Sequence, residues 1–417
     1  MEALRCSLNI GFFIALITLS GSVVRGQITP GQMVGAQLNT LQTSVPFLTI
    51  APDARAAGMG DAGVATSADV NSQHWNVAKY AFVERKGAFA ITHIPWLRNL
   101  IPGINLGYLS GYYRIDDKNT VSSSFRYFSL GEITYSSIQG RMVSQYKPFE
   151  FALDAGYTRL FTEHFSGGMA IRYIRSDLTS GQTTANGLAT QAGQSVAGDL
   201  ALYYQNDVPM GQTWAQWALG MNISNMGTPI SYTKNATKTP IPTNLRLGGR
   251  FEYFINENHS FSLNADMNKL LVPTPPVMVE DTATGDLIVI RGKAAPESVV
   301  AGMFQSFRDA PGVLRADGSY SVFLEEMHEI AFAMGAEYNF QHLLSVRSGY
   351  FHEHSTKGNR KYITAGICVK NRLFSLDVAY LRPTNGGNSP LANTFRITFT
   401  TELGGNSRPF TQETIFD

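Results

Sequence analysis

Phe261-Ser262-Leu263-Asn264-Ala265-Asp266-Met267-Asn268 decides the fold. Every second residue is apolar and those between are polar, and a strand sends successive side chains to opposite faces. Gln216 to Ile223 repeats the pattern, with Trp217, Leu219, Met221 and Ile223 on one face. Fourteen such segments run from Gly87 to Leu403: 87–94, 104–115, 119–134, 146–160, 165–178, 194–205, 214–224, 243–255, 259–269, 326–340, 343–352, 361–369, 373–382 and 394–403. Their connections alternate in length. Asp116–Lys118, Thr162–His164, Asn256–Asn258, Gln341–His342 and Lys370–Arg372 are turns, whereas 95–103, 135–145, 179–193, 225–242, 270–325, 353–360 and 383–393 are long. An even strand number with turns at one end and loops at the other marks an outer-membrane barrel, and a soluble sandwich has no reason to sort its loops this way.

The two faces point the same way. One carries Phe151, Leu153, Tyr157, Leu245, Leu247, Phe251, Phe332, Met334, Ala336, Leu376, Val378, Phe395, Ile397 and Phe399. The other carries Asp154, Arg246, Arg250, Glu252, Asp266, Glu337, Arg347, Asp377 and Arg396. Charges of both signs suit pairing across a lumen, and one at mid-bilayer on the lipid side would cost roughly 2–4 kcal/mol, which pins each register. Phe161, Tyr204, Trp214, Tyr253 and Phe340 fall near strand ends as a periplasmic aromatic girdle, and Tyr350 and Tyr380 near the outer one. Mean hydropathy is only −0.08, because alternation dilutes the apolar signal of a barrel.

Residues 1–26 read as a secretory leader: Arg5, an apolar core from Ile10 to Leu19, and small Val24 and Gly26 before a cleavage site at Gln27. The apolar run falls short of a membrane-spanning helix. Cys6 leaves with that leader, and Cys368 alone remains, which excludes a disulfide framework and a cysteine-ligated zinc site. A net charge of +1 with dispersed charges gives no reason to expect nucleic acid. The expected division is therefore leader 1–26, plug 27–86, barrel 87–403 and periplasmic tail 404–417, with both termini periplasmic and the large loops extracellular. Ala51 to Asn76 is rich in Ala and Gly and lacks alternation. It fits a plug folded into a wide lumen, the alternative being a flexible periplasmic extension.

Two stretches resemble a known family. Pro46-Phe47-Leu48-Thr49-Ile50-Ala51-Pro52-Asp53-Ala54-Arg55-Ala56-Ala57-Gly58-Met59-Gly60-Asp61-Ala62-Gly63, followed by His74-Trp75-Asn76, is similar to the N-terminal segment of the PorV (LptO) proteins. Asp377-Val378-Ala379-Tyr380-Leu381-Arg382-Pro383 and Asn388 to Thr394 resemble that family's closing hairpin, and Phe125 to Phe128 and Arg172 to Ile174 match between them. The resemblance implies an outer-membrane component of the Bacteroidota type IX secretion system. It implies partners too: the giant translocon barrel, cargo with a C-terminal signal domain, and the surface attachment complex with its sortase. The broader relatives are FadL-type transporters of hydrophobic compounds, whose fourteen-stranded barrel has an N-terminal hatch. FadL-like transport is thus the alternative function.

No catalytic constellation emerges, so no enzyme activity, cofactor or metal is expected. Gly193-Gln194-Ser195-Val196-Ala197-Gly198 has the wrong spacing for a nucleophile elbow, and no phosphate loop or His-Glu-x-x-His helix occurs. His352-Glu353-His354 puts two histidines on one side of a strand but lacks a third ligand, so a solvated loop is the simpler account. Asp154, Asp266 and Asp377 fit lumen ion pairs better than acid–base chemistry. The family's link to lipopolysaccharide deacylation is accordingly read as indirect.

The 270–325 connection is far longer than an ordinary loop. Its Pro273, Pro275 and Pro276 oppose regular structure, and Leu287 to Ile290 reads as one strand of a small surface hairpin. Glu297 to Asp309 is expected as an amphipathic helix with Val300, Met303, Phe304 and Phe307 on one face. That face either packs on the barrel rim or, together with 225–242, docks translocon or cargo.

Overall fold

The computed structural model describes residues 39–97, 103–136, 142–182, 189–233, 238–281, 285–385, 391 and 394–406. The expected leader, residues 27–38 of the expected plug, and the tail beyond residue 406 lie outside these.

Fourteen antiparallel strands close into one barrel, each bonded to the next and the last to the first. They are β1 (Arg85–Pro95), β2 (Ile104–Arg114), β3 (Asn119–Leu130), β4 (Phe149–Leu160), β5 (Phe165–Asp177), β6 (Gly193–Met210) and β7 (Thr213–Gly227). Then follow β8 (Asn244–Asn256), β9 (His259–Leu270), β10 (Ile330–Phe340), β11 (Leu344–His352), β12 (Lys361–Lys370), β13 (Phe374–Pro383) and β14 (Thr394–Asn406). Every expected segment is a strand, and the barrel's limits are Arg85 and Asn406 rather than 87 and 403.

Two expected strands are too long. Gly131, at φ 83°, ends β3 early, and Ile133–Ser136 pairs with Met142–Tyr146 in a separate hairpin. Residues 326–328 belong to a helix and β10 starts at Ile330, because Ser321 caps that helix by accepting from the Leu324 amide at 3.3 Å.

The register realises the two faces. Leu153 is 50% exposed and its neighbour Asp154 only 6%. Phe89, Ile171, Leu263, Met334, Ile397 and many like them also point outward and exposed. A band of this kind is stable only against an apolar medium. Inside, Arg172 donates to Asp154 at 2.6 Å and to Asp199 at 3.0 Å. Arg347 bridges Glu337 and Asp377, both at 2.5 Å. Asp266 departs from the ion-pair expectation: one of its oxygens accepts from the backbone amides of Gly63 at 2.6 Å and Val64 at 2.9 Å.

Residues 44–83 occupy the space enclosed by the strands. Helix α1 (Ala54–Gly58) lies against β11 to β14, where the Ala54 amide donates to Thr398 and the Gly60 amide to Thr364. On the other side, carbonyls of Val77 and Ala78 in the 3-10 turn Val77–Phe82 accept from Thr158 of β4 and Ser166 of β5. The stretch runs the length of the barrel. Tyr80 meets Thr120 near the turns, whereas Asn39 donates to Pro275 O at 3.2 Å among the long loops. Arg85 and Asn406 pair at the turn end, so the strands do start and finish on one side. The described N-terminal stretch, however, begins at the opposite end, among the long loops; the termini themselves lie outside the described residues.

Candidate functional site

The family-like motif is a set of contacts to the barrel wall. Asp53 caps α1 through the Ala56 amide at 2.9 Å, and its other oxygen accepts from Trp75 Nε1 at 2.6 Å. Arg55 reaches Glu337 at 2.9 Å and Asp69 at 3.0 Å, which ties the segment into the Arg347 network. Asp61 accepts from Arg396 at 2.8 Å and from Tyr362 at 2.5 Å. His74 lies between two arginines: Arg126 approaches its Nδ1 at 2.8 Å, and Arg246 donates to its carbonyl at 3.1 Å. Arg246 also stacks over Trp75. The glycines serve approach. Gly60 has φ 68°, and a Cβ on Gly349 of β11 would intrude on the backbone of Met59 and Gly60.

Above the motif the lumen is apolar. Val45, Phe47 and Leu48 are buried with Ile94, Leu106, Tyr108, Phe128, Ile174, Ile230 and Ile241. Sequence reasoning, which treated the lumen as mostly polar, missed this chamber. It is built where strands approach the long loops, and the chain's own residues 45–48 fill it. Ile230 and Ile241 of the 225–242 loop are turned into it, so those apolar side chains are not a surface.

The 271–329 connection forms an exposed module. Val277–Glu280 pairs with Leu287–Arg291, confirming the expected hairpin, and Leu287, Ile288, Val289 and Ile290 are all exposed. Helix α2 is only Val299–Gln305, shorter than the expected 297–309, because the chain turns at Ser306 and residue 306 is itself buried. Val300 and Phe304 point outward, Phe304 at 72% exposure, and Met303 is half-buried. Phe307 is exposed yet near Lys269, 5.6 Å from the ring centre. The side facing the protein is Gly302, beside Pro273 and Pro296. Val300 and Phe304 therefore face away from the rim.

A second helix, α3 (Val322–His328), was not anticipated and carries Phe323 at 74% exposure. Its signal was Ser321 ahead of Glu325 in the first turn. The acids of α3 and the residue after it fasten the module. Lys269 reaches Glu326 at 2.9 Å and Glu329 at 2.7 Å; Lys357 reaches Glu325 at 2.7 Å and Glu329 at 3.0 Å. Glu326 also accepts from the Asp309 and Ala310 amides, and Glu325 from Gly312. Burial first, then the Glu326 charge, pushes the Asp309 carboxyl up to about 6. His354 stacks on His328 with ring centres 3.5 Å apart, and burial followed by the neighbouring His328 lowers His354 to about 4. Glu353 pairs with Arg360 instead of joining the histidines, and no group of three or more His, Cys, Asp or Glu placed to hold a metal ion occurs among the described residues.

Comparison with known proteins accords with the motif. The family model described as type IX secretion system protein PorV matches residues 33–277. No curated protein matches the chain. Among solved structures, the toluene transporter TodX of P. putida is similar at TM-score 0.47 and 11% identity over 85% of this chain and 99% of that one. The Ralstonia pickettii toluene transporter TbuX gives 0.43 and 12% over 84% and 98%. A Pseudomonas aeruginosa FadL homologue gives 0.40 and 11% over 85% and 99%. Likenesses this distant concern the fold alone. The chain is an outer-membrane β-barrel and belongs to the PorV family of type IX secretion system proteins.

Proposed function

We propose that this barrel is a non-enzymatic carrier subunit of type IX secretion. It receives cargo bearing the C-terminal signal domain from the giant translocon barrel and passes it to the surface attachment complex with its sortase. On this reading the long-loop end faces outside, the turn end faces the periplasm, and the segment within residues 27–86 is a plug that prevents leakage. The supporting observation is the exposed module, whose hairpin is apolar on both faces and whose Val300, Phe304, Phe307 and Phe323 are uncovered. A lone two-stranded ribbon is marginal in water, and aromatic anchors concentrate binding energy. The translocon is its expected first partner.

The test replaces Phe304 and Phe323 with Ser. Barrel assembly, read from heat-modifiable gel mobility, should be unchanged, while gently solubilised membranes should lose co-purification of the giant barrel and signal-domain cargo. Undiminished co-purification and secretion, or undiminished secretion after deleting 299–309, would end the docking role.

A second reading is favoured by one feature, the apolar chamber around Phe47. It would suit transport of a hydrophobic small molecule once residues 45–48 move aside. Bound fatty acid in the purified protein, with uptake lost in a deletion strain, would favour it over secretion.

A further inference from the structure

Residues 39–50 touch three parts of the molecule: the surface module, the 228–243 loop and the apolar chamber. Asn39 Nδ2 donates to Pro275 O at 3.2 Å and to Glu325 Oε1 at 3.1 Å, the same oxygen that Lys357 holds at 2.7 Å. Ser44 bonds the 228–243 loop, its amide donating to Pro240 O at 2.9 Å and its hydroxyl lying 3.2 Å from Thr239 O. Val45, Phe47 and Leu48 then fill the apolar chamber, with Phe47 stacked on Phe128. Arg126 grips the carbonyls of Phe47 at 3.2 Å and Leu48 at 3.0 Å, and its other amino group meets His74 of the luminal segment. One residue in this stretch is strained. Val45 has φ 48°, a left-handed conformation that β-branched residues avoid. Such a conformation persists only where the surroundings hold it.

We propose that residues 39–50 are a strap that couples the surface module to the luminal segment, so that loosening either end loosens the other. Glu325 is the shared joint, because one carboxylate oxygen serves both the module's lysine clamp and the strap's Asn39. When the module shifts, the strap loses Pro275 and Glu325 together. The strain at Val45 then favours withdrawal of residues 45–48, and Arg126 loses the carbonyls that hold it beside His74. Coupling of this kind is reciprocal by thermodynamic necessity. It therefore makes a claim in both directions, and no docked partner is needed to examine it.

Backbone amide exchange, followed by mass spectrometry on the full chain in lipid nanodiscs, is the test. Lys357→Met should accelerate exchange in 309–329 and, about tenfold, in 39–50, while 119–127 and 245–253 stay as in the parent. In the reverse direction, Asn39→Ala with Ser44→Ala should accelerate 309–329 as well as 39–50. Should Lys357→Met fail to assemble, this second variant decides alone. Faster exchange confined to the mutated end, in the variants that assemble, would overturn the strap.

Discussion

At Gly349 a single missing methyl group governs how closely the luminal segment approaches the wall. The space a Cβ would need is taken by Met59 and Gly60 backbone, which has no rotamer through which to yield. Gly349→Ala should therefore destabilise by at least about 1–3 kcal/mol, the usual range for overpacking. Gly107→Ala on β2, where nothing lies within 4 Å, is the matched control. Urea titration followed by gel mobility reads both, and equal midpoints would show that the segment does not press on β11. Arg172 poses the opposite problem. It is the buried cation between Asp154 and Asp199, and Arg172→Met leaves two carboxylates stranded at a cost of roughly 3–5 kcal/mol. Converting both aspartates to Asn in that background should recover most of the loss. No recovery would mean that the guanidinium works by packing and not by charge.

The surface module and the His354 loop stacked on it titrate in two opposing ways. Asp309 has a folded value of about 6, against about 3.9 for a free carboxyl. The folded module thus binds more protons than the unfolded one between those values, and its stability falls as pH rises through that window. His354, lowered to about 4, acts in reverse, binding fewer protons when folded and so stabilising as pH rises from about 4 to its free value near 6.5. Asp309→Asn isolates the first effect. Its advantage over the parent in 309–329 exchange, corrected for intrinsic pH dependence, should be absent near pH 4 and reach a plateau above pH 6. A pH-independent difference would contradict a buried, ionising Asp309.

The same elements separate what was legible beforehand from what was not. Strands such as 259–270 announce themselves, because lipid outside and ion pairs inside impose a strict period of two. Of the four residues singled out in the long connection, Val300, Phe304 and Phe307 are exposed and Met303 is half-buried. Helix α3 was hidden, since residues 326–328 run into β10 with no Gly or Pro to mark the boundary and only sequence-distant Lys269 and Lys357 hold its acids in place. The apolar chamber was hidden for a related reason. Ile94, Leu106 and Phe128 become lumen residues only by register, and their partners at 45–48 are remote in sequence.

For the whole molecule the consequence is topological. Fourteen strands bring Arg85 and Asn406 together at the turn end, yet the stretch leading into Arg85 first traverses the lumen from the loop end. The luminal segment is accordingly expected to be in place before β1 and β14 close the seam, since later entry would require drawing the chain through an already closed barrel. Single cysteines in a Cys368→Ser background report the geometry. Thr40→Cys and Gly285→Cys lie among the long loops, and Asp117→Cys lies in a short turn at the other end. With a membrane-impermeant maleimide on intact cells, the first two should label alike and the third should label only after the outer membrane is breached. If Thr40→Cys instead behaves like Asp117→Cys, the chain does not traverse the lumen, and the strap at residues 39–50 loses its anchor at the surface.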